Sequence, residues 1–262
     1  MRAREFIKQL QSNESYSFSL DEMRDRIKSS KVSLKFELVR LTEKKEIVNL
    51  RRGFYLIIPP RYSKQAQLPI QLFIDKLCGS LNRNYYLGFY TAAKFHGASH
   101  QQAQREYVMV EKPKLDDITK GEYDIRFFTS STWPSKNIIE KKSEAGLFKI
   151  SSPALTAADL IHHQTKLGGI NRMLAIIEEL SEEITDSDLK DLLTWYPHKS
   201  TLQRLGFLLE KIQVNIDLGI LYEYLISGYY FPTLLSPKAN QNPSAVNNKW
   251  KVDVNIKLET DL

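Results

Sequence analysis

The run Ser33-Leu34-Lys35-Phe36-Glu37-Leu38-Val39-Arg40-Leu41, followed shortly by Ile47-Val48-Asn49-Leu50-Arg51-Arg52-Gly53-Phe54-Tyr55-Leu56-Ile57-Ile58, decides how the N-terminal part of this chain folds. In the first stretch Leu34, Leu38 and Leu41 stand at i, i+4 and i+7 and share one narrow arc of a helix, with Ser33 as its expected start signal. In the second, two β-rich runs flank the polar tip Arg51-Arg52-Gly53, where glycine accepts the positive φ that a tight turn asks for. A helix is therefore followed at once by a hairpin.

Towards the N-terminus, Ala3, Phe6, Ile7 and Leu10 form one apolar stripe at helical spacing. Ser19-Leu20-Asp21-Glu22 has the capping-box pattern, and behind it Leu20, Met23 and Ile27 point inward while Arg24, Arg26 and Lys28 point out. Three helices and a hairpin within residues 1–61 are the order of a winged helix-turn-helix. Towards the C-terminus, Pro59-Pro60 ends the second run, because proline cannot donate to a sheet ladder. The polar stretch Arg61 to Gln67 is the expected linker, giving a domain over 1–61 and a second over 65–262.

In the second domain, helical patterns are expected at Ile70–Leu81 and Leu87–Phe95, and strand-like runs at Arg105–Val110, Tyr123–Thr129, Asn137–Lys141 and Leu147–Ile150. Helices then cover Pro153–His163, Gly169–Leu180, Asp186–Tyr196, Ser200–Ile212 and Asp217–Ile226, with a late strand at Trp250–Leu258. The expected fold class is α+β: an N-terminal winged helix-turn-helix, then a mixed α/β domain with a helical C-terminal part.

Charge is distributed unevenly. Residues 1–61 hold 14 Lys/Arg against 8 Asp/Glu, so the whole net charge of +6 falls in that segment. Such asymmetry points either to a polyanion partner or to a plain solvated basic face. No run of apolar residues is long enough for a transmembrane helix, and the N-terminus lacks the uninterrupted apolar segment of a secretory signal. The single cysteine, Cys78, cannot form an internal disulfide, which fits a reducing cytoplasm. The expected location is the bacterial cytoplasm, away from membranes.

Projected around the third helix, Phe36, Val39, Arg40 and Glu43 oppose the leucine arc, with Lys35 and Lys44 on the flanks. Arginine can chelate a guanine edge, and Phe or Val can meet a thymine methyl, so this face suits a major groove of double-stranded DNA. Lys31 and Ser33 at the start of the helix, and Arg51 and Arg52 at the hairpin tip, complete the candidate DNA contacts. The alternatives are a solvated helix face, a Phe36 that packs on the second domain, and a tip that is merely a soluble turn.

Catalytic readings find little support. His96 and His100 are separated by Gly97, which discourages the helix that would align them on a metal, and adjacent His162 and His163 point in different directions. Cys78 lies in an apolar helix, where a small core residue is the simpler reading. Asp159 can cap or pair within its helix. Asp124-Ile125-Arg126 is similar to a metal-dependent nuclease's acid-x-Lys, but arginine replaces the lysine. No nucleophile elbow, phosphate loop or dinucleotide fingerprint occurs. No catalytic residue, metal or cofactor is expected. Tyr222, Tyr224, Tyr229, Tyr230 and Phe231 form either a partner patch or a core with its rim.

The order Ser33 to Leu41, then Ile47 and Leu50-Arg51-Arg52-Gly53-Phe54-Tyr55, resembles the start of AbiEi-type antitoxins. Tyr86-Leu87-Gly88-Phe89-Tyr90-Thr91-Ala92-Ala93-Lys94-Phe95-His96-Gly97 is similar to a second motif of that family, with Thr91 where serine is common. Ile150 to Leu160 resembles its Ser-Pro-Thr-Asp-Leu helix start, and Trp250 to Asn255 its closing strand. The resemblance implies a transcriptional autoregulator of a type IV toxin–antitoxin, or abortive infection, system that defends against phage. It implies binding to inverted repeats in the chain's own promoter, and a second domain that counters a nucleotidyltransferase-like toxin without a stable complex. The other readings are a plain winged-helix regulator with a ligand-sensing or dimerising domain, and an enzyme with a DNA-binding arm.

Overall fold

Helices and strands succeed one another irregularly, giving a mixed α+β fold in a computed structural model that describes residues 2–64, 67–98, 105–214, 216–238 and 241–258. Gln65 and Ala66 of the expected linker, and His100, lie outside the described residues. In chain order come α1 (Ala3–Ser12), β1 (Ser17–Ser19), α2 (Leu20–Arg26), α3 (Lys31–Glu43), β2 (Ile47–Arg51), β3 (Phe54–Ile57), α4 (Ile74–Ser80), β4 (Tyr85–Leu87) and α5 (Phe89–Phe95). Strands β5 (Glu106–Glu111), β6 (Ile118–Lys120), β7 (Tyr123–Ser130), β8 (Ile138–Ser143) and β9 (Gly146–Ser151) follow. The rest is α6 (Pro153–His162), α7 (Leu174–Glu183), α8 (Asp186–Leu193), α9 (Lys199–Ile212), α10 (Gly219–Ile226), β10 (Thr233–Leu234) and β11 (Val252–Asp253). One sheet is ordered β6-β7-β5-β4-β9-β8, another β1-β3-β2, and β10 pairs with β11.

Two compact units divide the chain. The first comprises Met1–Tyr86, Gln104–Ser130 and Glu140–Lys149; the second comprises Leu87–Ala103, Ser131–Ile139 and Ile150–Leu262.

In the first unit, α1, α2 and α3 close over the small sheet around Phe6, Phe18, Met23, Leu34, Leu38 and Ile57. Phe18 meets Phe6 edge-on at 5.5 Å and stacks on Tyr55 at 5.3 Å. Strand β1, too short for an alternating pattern to reveal, pairs antiparallel with β3 from Ser17↔Leu56 to Ser19↔Phe54. Two start signals differ from expectation. Ser30, not Ser33, caps α3, its hydroxyl accepting from the Ser33 amide at 3.2 Å. Ser19 caps α2 by accepting from the Glu22 amide at 3.0 Å, but the Glu22 carboxylate pairs with Lys76 at 3.0 Å. The hairpin forms where the alternation put it, turning at Gly53 with φ +78°. It is embedded, because β2 lies against β6 and α4 lies against β1. The β5–β7 pair runs parallel from Glu106↔Ile125 to Glu111↔Ser130.

In the second unit, α6 is buried along almost its whole length and packs against α5, α7, α8 and α9. Its N-terminus is satisfied with unusual completeness. Ser152 accepts from the Leu155 amide, Asp188 accepts from the Ala154 amide at 2.8 Å, and Thr156 donates to the Ser152 carbonyl at 2.7 Å. Pro153 fills the first helical position, where no amide is needed. The late strand is shorter than its alternation suggests. Lys251 has φ +52°, and the Asn248 side chain brackets Val252, so only Val252 and Asp253 pair, parallel to β10. The Ile70–Leu81 stretch is likewise broken at Phe73, a 3-10 turn preceding α4.

Candidate nucleic-acid interface

The leucine arc of α3 is buried, Leu34, Leu38 and Leu41 each at 5% exposure or less, which turns the opposite face to solvent. On that face Val32, Phe36 and Val39 are 65%, 64% and 46% exposed, an apolar stripe at i, i+4 and i+7. Lys31, Ser33, Lys35, Arg40, Glu43 and Lys44 surround it, all exposed. Val32 escaped sequence reasoning, although it stands one turn before Phe36 and the same projection carries it. Glu37 secures the helix by accepting from the Ala3 amide of α1 at 3.2 Å. The C-terminus closes through Glu46 donating to the Leu41 carbonyl at 3.0 Å, with Lys45 at φ +56°.

Nearby basic residues are spent on acids: Arg4 on Glu46, Arg24 on Asp21, Arg61 on Glu144 and Lys76 on Glu22. Among the described residues no acid pairs with Lys31, Lys35, Arg40, Lys44 or Arg52. The two tip arginines part company. Arg52 is exposed, whereas Arg51 is half-buried with Nη1 enclosed and unbonded, close enough to act electrostatically on the Cys78 thiol. The reason is the β-bulge between Asn49 and Arg51, which shifts the register and re-aims the strand's last side chain. The structure thus leaves Lys31 and Lys35 on one flank of the exposed stripe and Arg40 and Lys44 on the other, and turns Arg51 partly inward.

Other chemistry-bearing residues are engaged within the fold. Cys78 is fully buried, and burial pushes its thiol up to about 12. Burial alone would raise Asp124, but Arg105 and Arg126 bond to it at 2.8 and 3.3 Å and leave its carboxyl lowered. Arg126 also reaches Asp117 at 3.1 Å, so this strand carries an ion network. His96 contacts the Ser151 carbonyl at 2.8 Å. Among the described residues, no three His, Cys, Asp or Glu side chains are disposed to hold a metal.

In the second unit His162 stacks on His198 at 4.0 Å and meets His163 edge-on at 4.6 Å, while its Nδ1 lies 3.1 Å from the Thr201 hydroxyl. Burial lowers His162 to about 4 and His163 to about 3, and lowers His198 as well. These folded values lie below the ordinary 6.5, so as pH falls the unfolded chain takes up protons first. The cluster's contribution to stability is whole above about 6.5, falls progressively below it, and is fully lost once pH has dropped through about 4 and 3. Urea unfolding at pH 5 is expected to show a stability on the order of 2–4 kcal/mol below that at pH 7, with His163→Phe flattening the difference. Equal stabilities at the two pH values would refute this account of the cluster.

An α+β protein with one exposed, cation-rich helix face, joined to a helix-rich unit, is the class these observations define. Residues 86–211 match the family model of the AbiEi antitoxin C-terminal domain. No curated protein matches the sequence. The crystal structure of the RV2827C protein from Mycobacterium tuberculosis superposes with a TM-score of 0.64 at 12% identity, covering 95% of this chain and 90% of that one. The two share a fold. An antigenic nucleotidyltransferase-like protein from Paracoccidioides brasiliensis aligns with a TM-score of 0.34 at 9% identity, over 57% of this chain and 93% of that one. No helix among the described residues is long and apolar enough to cross a membrane.

Proposed function

We propose that this protein is a DNA-binding antitoxin that represses its own operon through residues 1–61 and counters a nucleotidyltransferase-like toxin through the domain that follows. The observation that carries the DNA-binding half is the outer face of α3, where Val32, Phe36 and Val39 stand exposed among cations that no acid neutralises. Exposed apolar side chains cost solvation in a free helix, yet among Lys35, Arg40 and Lys44 they match a major groove's methyl groups and phosphates. The three-helix, three-strand arrangement supports reading residues 1–61 as a winged helix-turn-helix with α3 as the recognition helix. Arg52 at the hairpin tip would meet a phosphate, while Arg51 would brace the tip from within. The family of residues 86–211 supports the antitoxin half. Inverted repeats as the operator, a cytoplasmic location, a non-enzymatic role and the lack of a stable toxin complex belong to the same reading.

The test is a promoter-reporter assay paired with a growth-rescue assay, both on the full chain. Lys35→Ala with Arg40→Ala and Arg52→Ala changes only exposed side chains, so folding is expected to survive. The triple variant should lose repression of the promoter upstream of its own gene and still rescue growth beside the toxin. Repression by the folded variant equal to that of the wild type would overturn the DNA assignment; loss of rescue along with repression would show that antitoxicity runs through repression.

One observation favours the plain-regulator reading with a sensed ligand. The first unit holds a cavity of about 450 Å³ whose lining includes Ser17, Glu22, Phe54, Phe73, Lys76 and Ser80. It borders β1, β3 and α2 but includes none of the core residues that seat α3, so a small polar molecule there would act on α3 only through those elements. Release of duplex DNA on adding such a molecule would support this second reading.

A further inference from the structure

The chain leaving α10 carries Tyr229, Tyr230 and Phe231, and their exposure alternates: 91% for Tyr229, partial burial for Tyr230, 74% for Phe231. Two large rings left in water need a reason, because nothing in folding stabilises them there. The backbone beneath them is fixed. Lys199 donates to the Tyr229 carbonyl at 3.3 Å, Lys251 to the Tyr230 carbonyl at 3.3 Å, and Gln203 to the Phe231 carbonyl at 2.9 Å. Tyr230 is turned inward, its hydroxyl donating to the Lys249 carbonyl at 2.9 Å and its ring lying 4.1 Å from the Lys251 ammonium. Three successive carbonyls are thus held by three side chains, and the two outer rings are presented on a rigid segment.

We infer that Tyr229 and Phe231 form a stacking platform for the bases of single-stranded nucleic acid, with Lys199, Lys249 and Lys251 meeting its phosphates. With their backbone held and both rings exposed, Tyr229 and Phe231 each offer a face on which an unpaired base can stack. The lysines at the platform's margin select for an anionic strand; Lys249 shares its charge with Glu210. Duplex DNA, whose bases are stacked on one another, offers no face to these rings. The platform is therefore separate in kind from the α3 face, and its partner is an unpaired strand or loop of RNA or DNA.

The experiment is a fluorescence-anisotropy titration of the full chain with a labelled oligoadenylate about twelve nucleotides long, longer than the platform itself needs. Binding is expected, and Tyr229→Ala with Phe231→Ala should weaken it by about 10- to 100-fold, whereas tryptophan at both positions should preserve it. Lys251→Gln should lower the slope of log affinity against log salt by about 0.7, the share of one single-strand phosphate. Duplex binding should stay unchanged in all of these variants, and melting should confirm that each is folded. Failure of the wild type to bind the oligoadenylate overturns the inference, as does equal affinity in the alanine pair. Loss of single-strand binding on Arg40→Ala instead would move the strand to α3 and overturn it too. A fall in sedimenting mass of the alanine pair, without loss of affinity, would assign the rings to a second copy of the chain.

Discussion

Raising the salt from 50 to 200 mM is expected to weaken binding of the intact chain to its promoter duplex by about 500-fold if one copy binds, and by about 10⁵-fold if two do. Each neutralised phosphate of a duplex contributes a slope of about −0.9 in log affinity against log salt. On α3 and the hairpin tip, the cations free to contribute among the described residues are Lys31, Lys35, Arg40, Lys44 and Arg52, all exposed. One copy making all of these contacts has a slope of about −4.5, and a pair on an inverted repeat about −9. The titration therefore reads both the assignment and the stoichiometry. Arg52→Ala should remove about 0.9 from the slope per copy while leaving base preference intact. Arg40→Ala should also blur that preference, because a guanidinium on the outer face of α3 reads a base edge as well as charge. A slope near zero for the wild-type chain would remove the reason for placing α3 on DNA. Arg51→Ala is the internal contrast. Its guanidinium is half-buried with Nη1 enclosed, so its removal should change the slope little.

Much of the first unit was legible because its signals are local. The leucine arc of α3 fixed both its buried and its outer face, and the alternation from Ile47 to Ile57 with Gly53 fixed the hairpin. What local signals could not give is what each surface meets. Ser17-Phe18-Ser19 is a strand because β3 offers it an edge, and nothing within three residues announces that. Arg51 and Arg52 look alike in sequence; a single bulge sends one inward and leaves the other exposed. Glu22 keeps only half of its capping pattern because Lys76, far away along the chain, provides a stronger partner.

The same limit explains the second unit. Helix α6 begins at Pro153 as expected, but the Asp188 carboxylate that accepts from its Ala154 amide lies 34 residues away and has no local signal. Strand β11 was over-read because alternation from Trp250 onward suggests a long strand, yet Lys251 at φ +52° interrupts it. The apolar stripe on α3 was under-read at Val32, which only gains meaning beside Phe36 and Val39. The outward rings of Tyr229 and Phe231 are invisible without knowing which carbonyls their own backbone gives away.

Trp250→Ala should be the most destabilising single substitution in the second unit. The indole is fully buried, donates from Nε1 to Glu210 at 2.7 Å, and sits against Tyr222 with ring centroids 6.0 Å apart; its carbonyl accepts from Gln203 at 2.9 Å. Truncation removes the ring's burial and leaves a cavity, a loss of about 3–5 kcal/mol. For a protein of this size that lowers the melting temperature by about 6–20 °C. Gly206 on α9 explains the close fit. A methyl there would meet three indole carbons more closely than real carbon contacts allow. Ordinarily Gly→Ala within a helix stabilises by up to about 1 kcal/mol, but here Gly206→Ala should destabilise by about 1–3 kcal/mol because a buried ring cannot swing aside. The two substitutions should therefore couple. In the Trp250→Ala background the space is vacant, and Gly206→Ala should change sign and become stabilising, a double-mutant interaction of about 2 kcal/mol. Additive effects measured by calorimetry would mean that Trp250 does not pack on α9 as described, and that the closing segment holds the second unit by its hydrogen bonds alone.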